Sequence, residues 1–292
     1  MKPLLQHFNI KFSQKITLLT CAFFLCLIMT TMLNTLIMAL TSPTGMTFIN
    51  LSILTQNLLA FILPVIITVA FISPSPASFL QIDKAPTKKT VLFLLLTFIA
   101  MTPAMNYLVE WNANLSLPDS MKAVETWMRN AEIASQSVTD KILNENNVLL
   151  SILLVGILTG LSEEVLFRGG LQRILVTRPM NHHTAIWISA FIFSAIHFQF
   201  FGFFPRLLLG AFFGYLAYWS GSLWTAVIAH AINNSTVLIA HAIDKHFGYD
   251  LSNFGVVESN TFPLFALIGL ILTLISLYYF PKTKQEVVSK LN

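Results

Sequence analysis

Long apolar runs alternate with short polar breaks along most of this chain. A helix that crosses the hydrocarbon of a bilayer needs about 20 mostly apolar residues. Eight runs approach that length: 16–40, 51–73, 90–109, 148–172, 184–201, 205–219, 222–243 and 262–280. The fifth and sixth are short and are separated only by FQFFGFFP, which predicts a tight helical hairpin. One polar interval is long, about residues 110–147. Within it Met121, Val124, Met128, Ile133 and Ile142 recur at helical spacing. The spacing predicts an amphipathic helix, with Asp119 or Ser120 as its cap.

Composition sharpens this picture. Of 292 residues, 55% are hydrophobic and 10% charged, against about 25% charged in a soluble domain. The predicted fold class is all-α, a polytopic membrane helix bundle of about eight transmembrane helices, forming a single membrane domain over 1–292. The net charge of +4 is not gathered into basic runs interleaved with aromatics. The lipid bilayer, and not nucleic acid, is therefore the expected surrounding partner. Cys21 and Cys26 are five residues apart in one apolar run and face different sides of a helix. They support neither a disulfide framework nor a thiolate metal site. Lys2, Lys11 and Lys15 precede the first run as in a signal peptide, but that run exceeds the usual apolar length of about 7–15 residues. It reads as a retained signal-anchor helix.

Lysine and arginine set the expected orientation. With both termini cytoplasmic, Lys2, Lys11, Lys15, Lys84, Lys88, Lys89, Arg173, Arg178, Lys282, Lys284 and Lys290 fall inside. Lys122, Arg129, Lys141, Arg206 and Lys245 fall outside, and the 110–147 segment becomes an external loop. The expected location is multi-pass in a bacterial inner membrane.

Against that background a few polar residues stand out within apolar runs: Glu163, Glu164 and Arg168 in the fourth, His197 in the fifth, and His230, Asn233 and Asn234 in the seventh. Ionisable groups at membrane depth are costly, face the bundle interior and mark functional sites. Glu164 and Arg168 are four apart with the acid first, the favoured order for an ion pair on one helix face. That pairing leaves Glu163, about 100° around the helix, as an unpaired carboxylate suited to acid–base work. His230 and Asn234 also share a face. At about 1.5 Å per residue, Glu163, His197, His230 and Asn234 all fall roughly 12–20 Å from the cytoplasmic ends of their helices, so they can meet at one level.

The motifs EEVLFR, FSAIH and HAINN follow one another in separate apolar runs. In this they resemble the CAAX protease and bacteriocin-processing family, also called ABI, which includes the Ras-converting type of prenyl-protein endopeptidase. The resemblance covers about 148–243. It implies an all-helical intramembrane protease with a cavity open to the cytoplasm. It further implies that Glu163 and His197 activate a water, and that His230 and Asn234 stabilise the oxyanion. Glu164 and Arg168 become supporting members of the first motif, and Phe193 a packing residue. Family members are described both as metalloproteases and as metal-free glutamate-dependent enzymes. Glu163, His197 and His230 could supply three ligands to one divalent metal, zinc for preference, with an open fourth position. The metal-free alternative needs no cofactor. The expected partner is a peptide or a membrane-anchored, CAAX-like protein substrate, and the oligomeric state stays open. A non-enzymatic immunity or scaffold protein that binds a peptide in the same cavity is the competing reading. A proton-coupled transporter is disfavoured by the lack of inverted repeats.

Overall fold

The computed structural model describes residues 10–177, 180–248 and 262–282. Lys2, Arg178, Lys284 and Lys290 lie outside them. The helices are α1 (Phe12–Leu40), α2 (Met46–Ile72), a short α3 (Pro76–Leu80), α4 (Lys88–Ala113), α5 (Lys122–Glu145), α6 (Val148–Val176), α7 (His182–Ala195), α8 (Phe203–Ser220), α9 (Leu223–Phe247) and α10 (Phe262–Tyr278). No strand occurs among the described residues. The architecture is the all-α polytopic bundle that the apolar runs predict. Among the described residues, six helices are long and apolar enough to cross a membrane, whereas α7 and α10 are shorter there.

Outward faces explain the composition. Phe24, Leu25, Met32 and Leu36 of α1 and Leu264, Leu267 and Leu274 of α10 are exposed. An apolar surface that water would penalise is satisfied by lipid chains. The polar residues go inward instead. From Ser162 to Gly170 every residue of α6 is buried, because α1, α2, α7, α8 and α9 surround this stretch.

Close helix approach makes that burial possible. A Cβ at Gly160 would stand 3.0 Å from the backbone nitrogen of Ala231, and one at Gly156 would overlap Ser235 Oγ. Gly156 and Gly160, four apart on α6, therefore face Ala231 and Ser235, four apart on α9. Small residues at this spacing let two membrane helices meet backbone to backbone. The contact sets Glu163 and Glu164 beside His230.

The basic loops sort to the two ends of the bundle. Arg173 Nε donates to Phe79 O at 2.9 Å, and Ser222 Oγ donates to Lys84 O. The loop after α3 thus shares one end with the close of α6 and the start of α9. At the other end, Lys245 Nζ donates to Asn144 O at 2.7 Å, and Asn50 and Asn146 pair through their amides.

Two expectations need correction. The fifth apolar run was expected to be helical to residue 201, but α7 ends at Ala195. Phe198 takes a left-handed backbone with φ of 53°, and the turn that follows is pinned by hydrogen bonds from other helices. Nor does Asp119 or Ser120 cap α5. A 3-10 turn over Asp119–Met121 leads into it without a side-chain cap. Instead Glu125 accepts the Leu117 amide and ion pairs from Lys122 and Arg129.

Candidate active site

Glu163 and Glu164 close a short α-helical stretch of α6, Thr159–Glu164, flanked by π-helical windings over Ile152–Leu158 and Val165–Gln172. Such windings inside α-helices gather at functional sites, because the extra residue per turn re-aims the side chains that follow. Asn57 of α2, 3% exposed, accepts from Ser162 Oγ and donates to Thr159 Oγ1 at 3.1 Å. It thereby fixes this stretch from a third helix. Asn57 was missed in the sequence, although a lone amide inside the run LSILTQNLLAFIL is a visible signal.

The expected ion pair is present. Arg168 Nη1 donates to Glu164 Oε1 at 2.7 Å, with both side chains fully buried. Arg168 Nη2 also donates to Gly210 O of α8 at 2.6 Å. Its guanidinium lies 4.8 Å from the centre of the Phe193 ring and 5.6 Å from that of Phe213. These faces favour a desolvated cation.

Glu164 has a second partner that spacing along one helix could not reveal. His230 Nδ1 stands 2.7 Å from the same Oε1. A carboxylate already paired with arginine accepts hydrogen bonds, so Nδ1 carries the proton and the ring turns Nε2 toward Glu163, 3.6 Å from its Oε2. Phe213 stacks on this imidazole at 4.8 Å. His197 repeats the pattern from the other side. Its Nδ1 lies 2.7 Å from Phe193 O, a carbonyl that can only accept, and its Nε2 faces Glu163 Oε1 at 3.9 Å. Phe193 sets its ring edge against both histidines, as a packing residue would.

Glu163, His197 and His230 therefore converge, from α6, the turn after α7, and α9. Asn234 is one helical turn from His230. It donates from Nδ2 to Val155 O of α6 at 3.2 Å, and its Oδ1 accepts from Asn233 at 3.2 Å. Asn233 thus orients the Asn234 amide, a role not anticipated. Two carboxylates and one guanidinium leave one net negative charge, with the two imidazoles beside it. Burying that charge unpaired would be costly.

The metal alternative can be tested on these distances. Both histidines anchor Nδ1 on an acceptor, as metal-bound imidazoles do. A tetrahedral site with bonds of about 2.0 Å needs donors about 3.3 Å apart. Glu163 stands 3.6 and 3.9 Å from the two Nε2 atoms, and no three such side chains among the described residues form a metal-binding group. The set as arranged is more open than such a cage.

The site is thus a buried carboxylate facing two oriented imidazoles inside a helical bundle. Residues 145–236 match the family model described as Rce1-like, Type II CAAX prenyl endopeptidase. The match bears out the resemblance drawn from the three motifs and supports a protease. Comparison with curated proteins and with solved structures gives no match.

Proposed function

We propose that this protein is an intramembrane endopeptidase that cleaves a peptide or membrane-anchored, CAAX-like substrate, with α6 to α9, residues 148–243, as its catalytic core. The observation that carries the reading is Glu163: an ionisable side chain with no direct hydrogen bond among the described groups, aimed at two imidazoles whose other nitrogens are already committed.

The separations of 3.6 and 3.9 Å are too long for hydrogen bonds and short enough for one water to bridge. A water there gives one proton to Glu163 and points the other at His197 Nε2, which leaves its lone pair for the scissile carbonyl carbon. As the C–O bond forms, negative charge gathers on the carbonyl oxygen. Protonated His230, its Nδ1–H held by Glu164, donates from Nε2 to that oxygen, and the free N–H of Asn234 donates beside it. Such donors are each worth about 3–4 kcal/mol in the transition state. Glu163 then passes its proton to the leaving amine nitrogen, and the C–N bond breaks. Arg168 fixes the Glu164 carboxylate, which in turn holds His230 in orientation. No step runs through a metal. In the orientation set by lysine and arginine, with both termini cytoplasmic in a bacterial inner membrane, this chemistry takes place near mid-depth.

The test is cleavage of a farnesylated C-a-a-X peptide by the detergent-purified protein. Glu163→Ala and His197→Ala should each lower kcat by about 10²–10⁴-fold at unchanged melting temperature, and chelation should leave the wild-type rate intact. Stoichiometric zinc with chelator-sensitive cleavage would restore the metal reading. Full cleavage by both variants would sink the endopeptidase site, and a Glu163→Gln protein that keeps its biological function would favour the peptide-binding scaffold.

A further inference from the structure

His197 stands on the turn between α7 and α8, two residues beyond the last helical residue Ala195. The residue after it, Phe198, has φ of 53° and is 61% exposed. An exposed aromatic residue in the left-handed region gains little from its own packing. Something else must hold this turn in place.

Contacts from three helices do so. Asn112 of α4, 1% exposed, donates to Phe200 O at 3.3 Å and accepts from the Phe204 amide at 2.9 Å. From α5, Ser135 Oγ accepts the Gln199 side-chain amide, Trp127 packs on Phe200 at 5.7 Å, and the Arg129 guanidinium sits 4.1 Å over the Phe201 ring. From α8, Arg206 donates to Gln199 Oε1 at 2.5 Å and to Gln199 O at 3.3 Å. Asn112, Trp127, Arg129 and Ser135 all lie before residue 145, where the match to the family model begins.

We propose that α4 and α5 form a clamp that sets the position of His197, with Gln199 as the positioning residue that links α5 to α8. The amphipathic helix is then part of the active enzyme rather than a connector. The inference rests on the reading of His197 as the group that orients the water beside Glu163. Gln199 touches no reacting atom and acts through the turn. Releasing it lets His197 Nε2 drift from Glu163, which slows the chemical step and leaves substrate binding alone.

The experiment uses the full chain in detergent and the farnesylated peptide as probe. Gln199→Leu removes the side-chain bonds to Ser135 and Arg206 and leaves only the longer Arg206 bond to the Gln199 carbonyl. It should lower kcat by about ten- to a hundred-fold, with KM within about two-fold of wild type. Gln199→Glu keeps an acceptor for Arg206 and for the Ser135 hydroxyl, and should recover most of the rate. Ser135→Ala, a change too small to unfold the chain, should show a weaker loss of the same kind. Hydrogen exchange gives a readout independent of catalysis: amides of residues 197–203 should lose protection in Gln199→Leu, while those around His230 keep theirs. Unchanged kcat in Gln199→Leu and Ser135→Ala, or unchanged protection of the turn, would overturn the clamp. If Glu163→Ala cleaves normally, the catalytic reading fails by itself, and the exchange data still decide whether the clamp exists.

Discussion

The two histidines that face Glu163 are held in opposite ways. His230 is in mid-helix on α9 and 4% exposed, bonded to Glu164 and stacked on Phe213. His197 lies past the end of α7, its side chain 27% exposed, on a turn that α4, α5 and α8 grip. In the first region the helix backbone places the group and buried charge orients it. In the second, irregular backbone is placed by distant side chains. A site built this way has one rigid wall and one wall whose position depends on contacts remote in sequence.

The largest way to break this contrast is Glu164→Gln. It leaves Arg168 buried without its counter-ion, and removing one partner of such a pair costs about 3–5 kcal/mol. The melting temperature in detergent should fall sharply, whereas Glu163→Gln, which strips no partner, should melt near wild type. Equal melting of the two would show that the inner wall does not depend on its ion pair. Next comes Gly160→Ala. Its new methyl meets Ala231 backbone atoms at 3.0 and 3.3 Å, and overpacking of this kind costs about 1–3 kcal/mol. Cleavage should drop with stability because α6 and α9 separate, and unchanged values would rule out that contact as the element that brings Glu164 to His230. The smallest effect concerns the outer wall. The Arg129 hydrogen bond, with Lys122 beside it, holds the Glu125 carboxyl below its ordinary 4.5. A lowered carboxyl contributes above the ordinary value, and the contribution is lost as pH falls through the folded-state value. Below about pH 4.5, hydrogen exchange over 115–130 should speed up while the amides around His230 stay protected. Uniform loss across both regions would erase the distinction.

Legibility in the sequence followed the same division. The apolar runs gave the bundle, and four-residue spacing gave the Glu164–Arg168 pair, because both depend on one helix at a time. The convergence of Glu163, His197 and His230 was suggested by equal depth and by the family resemblance of the three motifs. The bond from Glu164 to His230 joins residues 66 apart, so no local pattern encodes it. The GILTG stretch did carry a signal for the α6–α9 contact, though an unread one. The end of α7 at Ala195 was hidden because FQFFGFFP is as apolar as the helix before it. What stops the helix is a backbone turn secured by Asn112 and Gln199, each of which looks unremarkable alone.

The length of α7 has a consequence for the surrounding lipid. Fourteen residues rise only about 21 Å, whereas the hydrocarbon layer is about 30 Å thick. The following turn carries Gln199, which Arg206 of α8 and Ser135 of α5 both reach. A helix shorter than the hydrocarbon layer is accommodated by thinning of the bilayer beside it, which would bring the aqueous boundary inward. On the proposed endopeptidase function hydrolysis consumes water, and this short helix would shorten the path by which water reaches a peptide bond held inside a membrane.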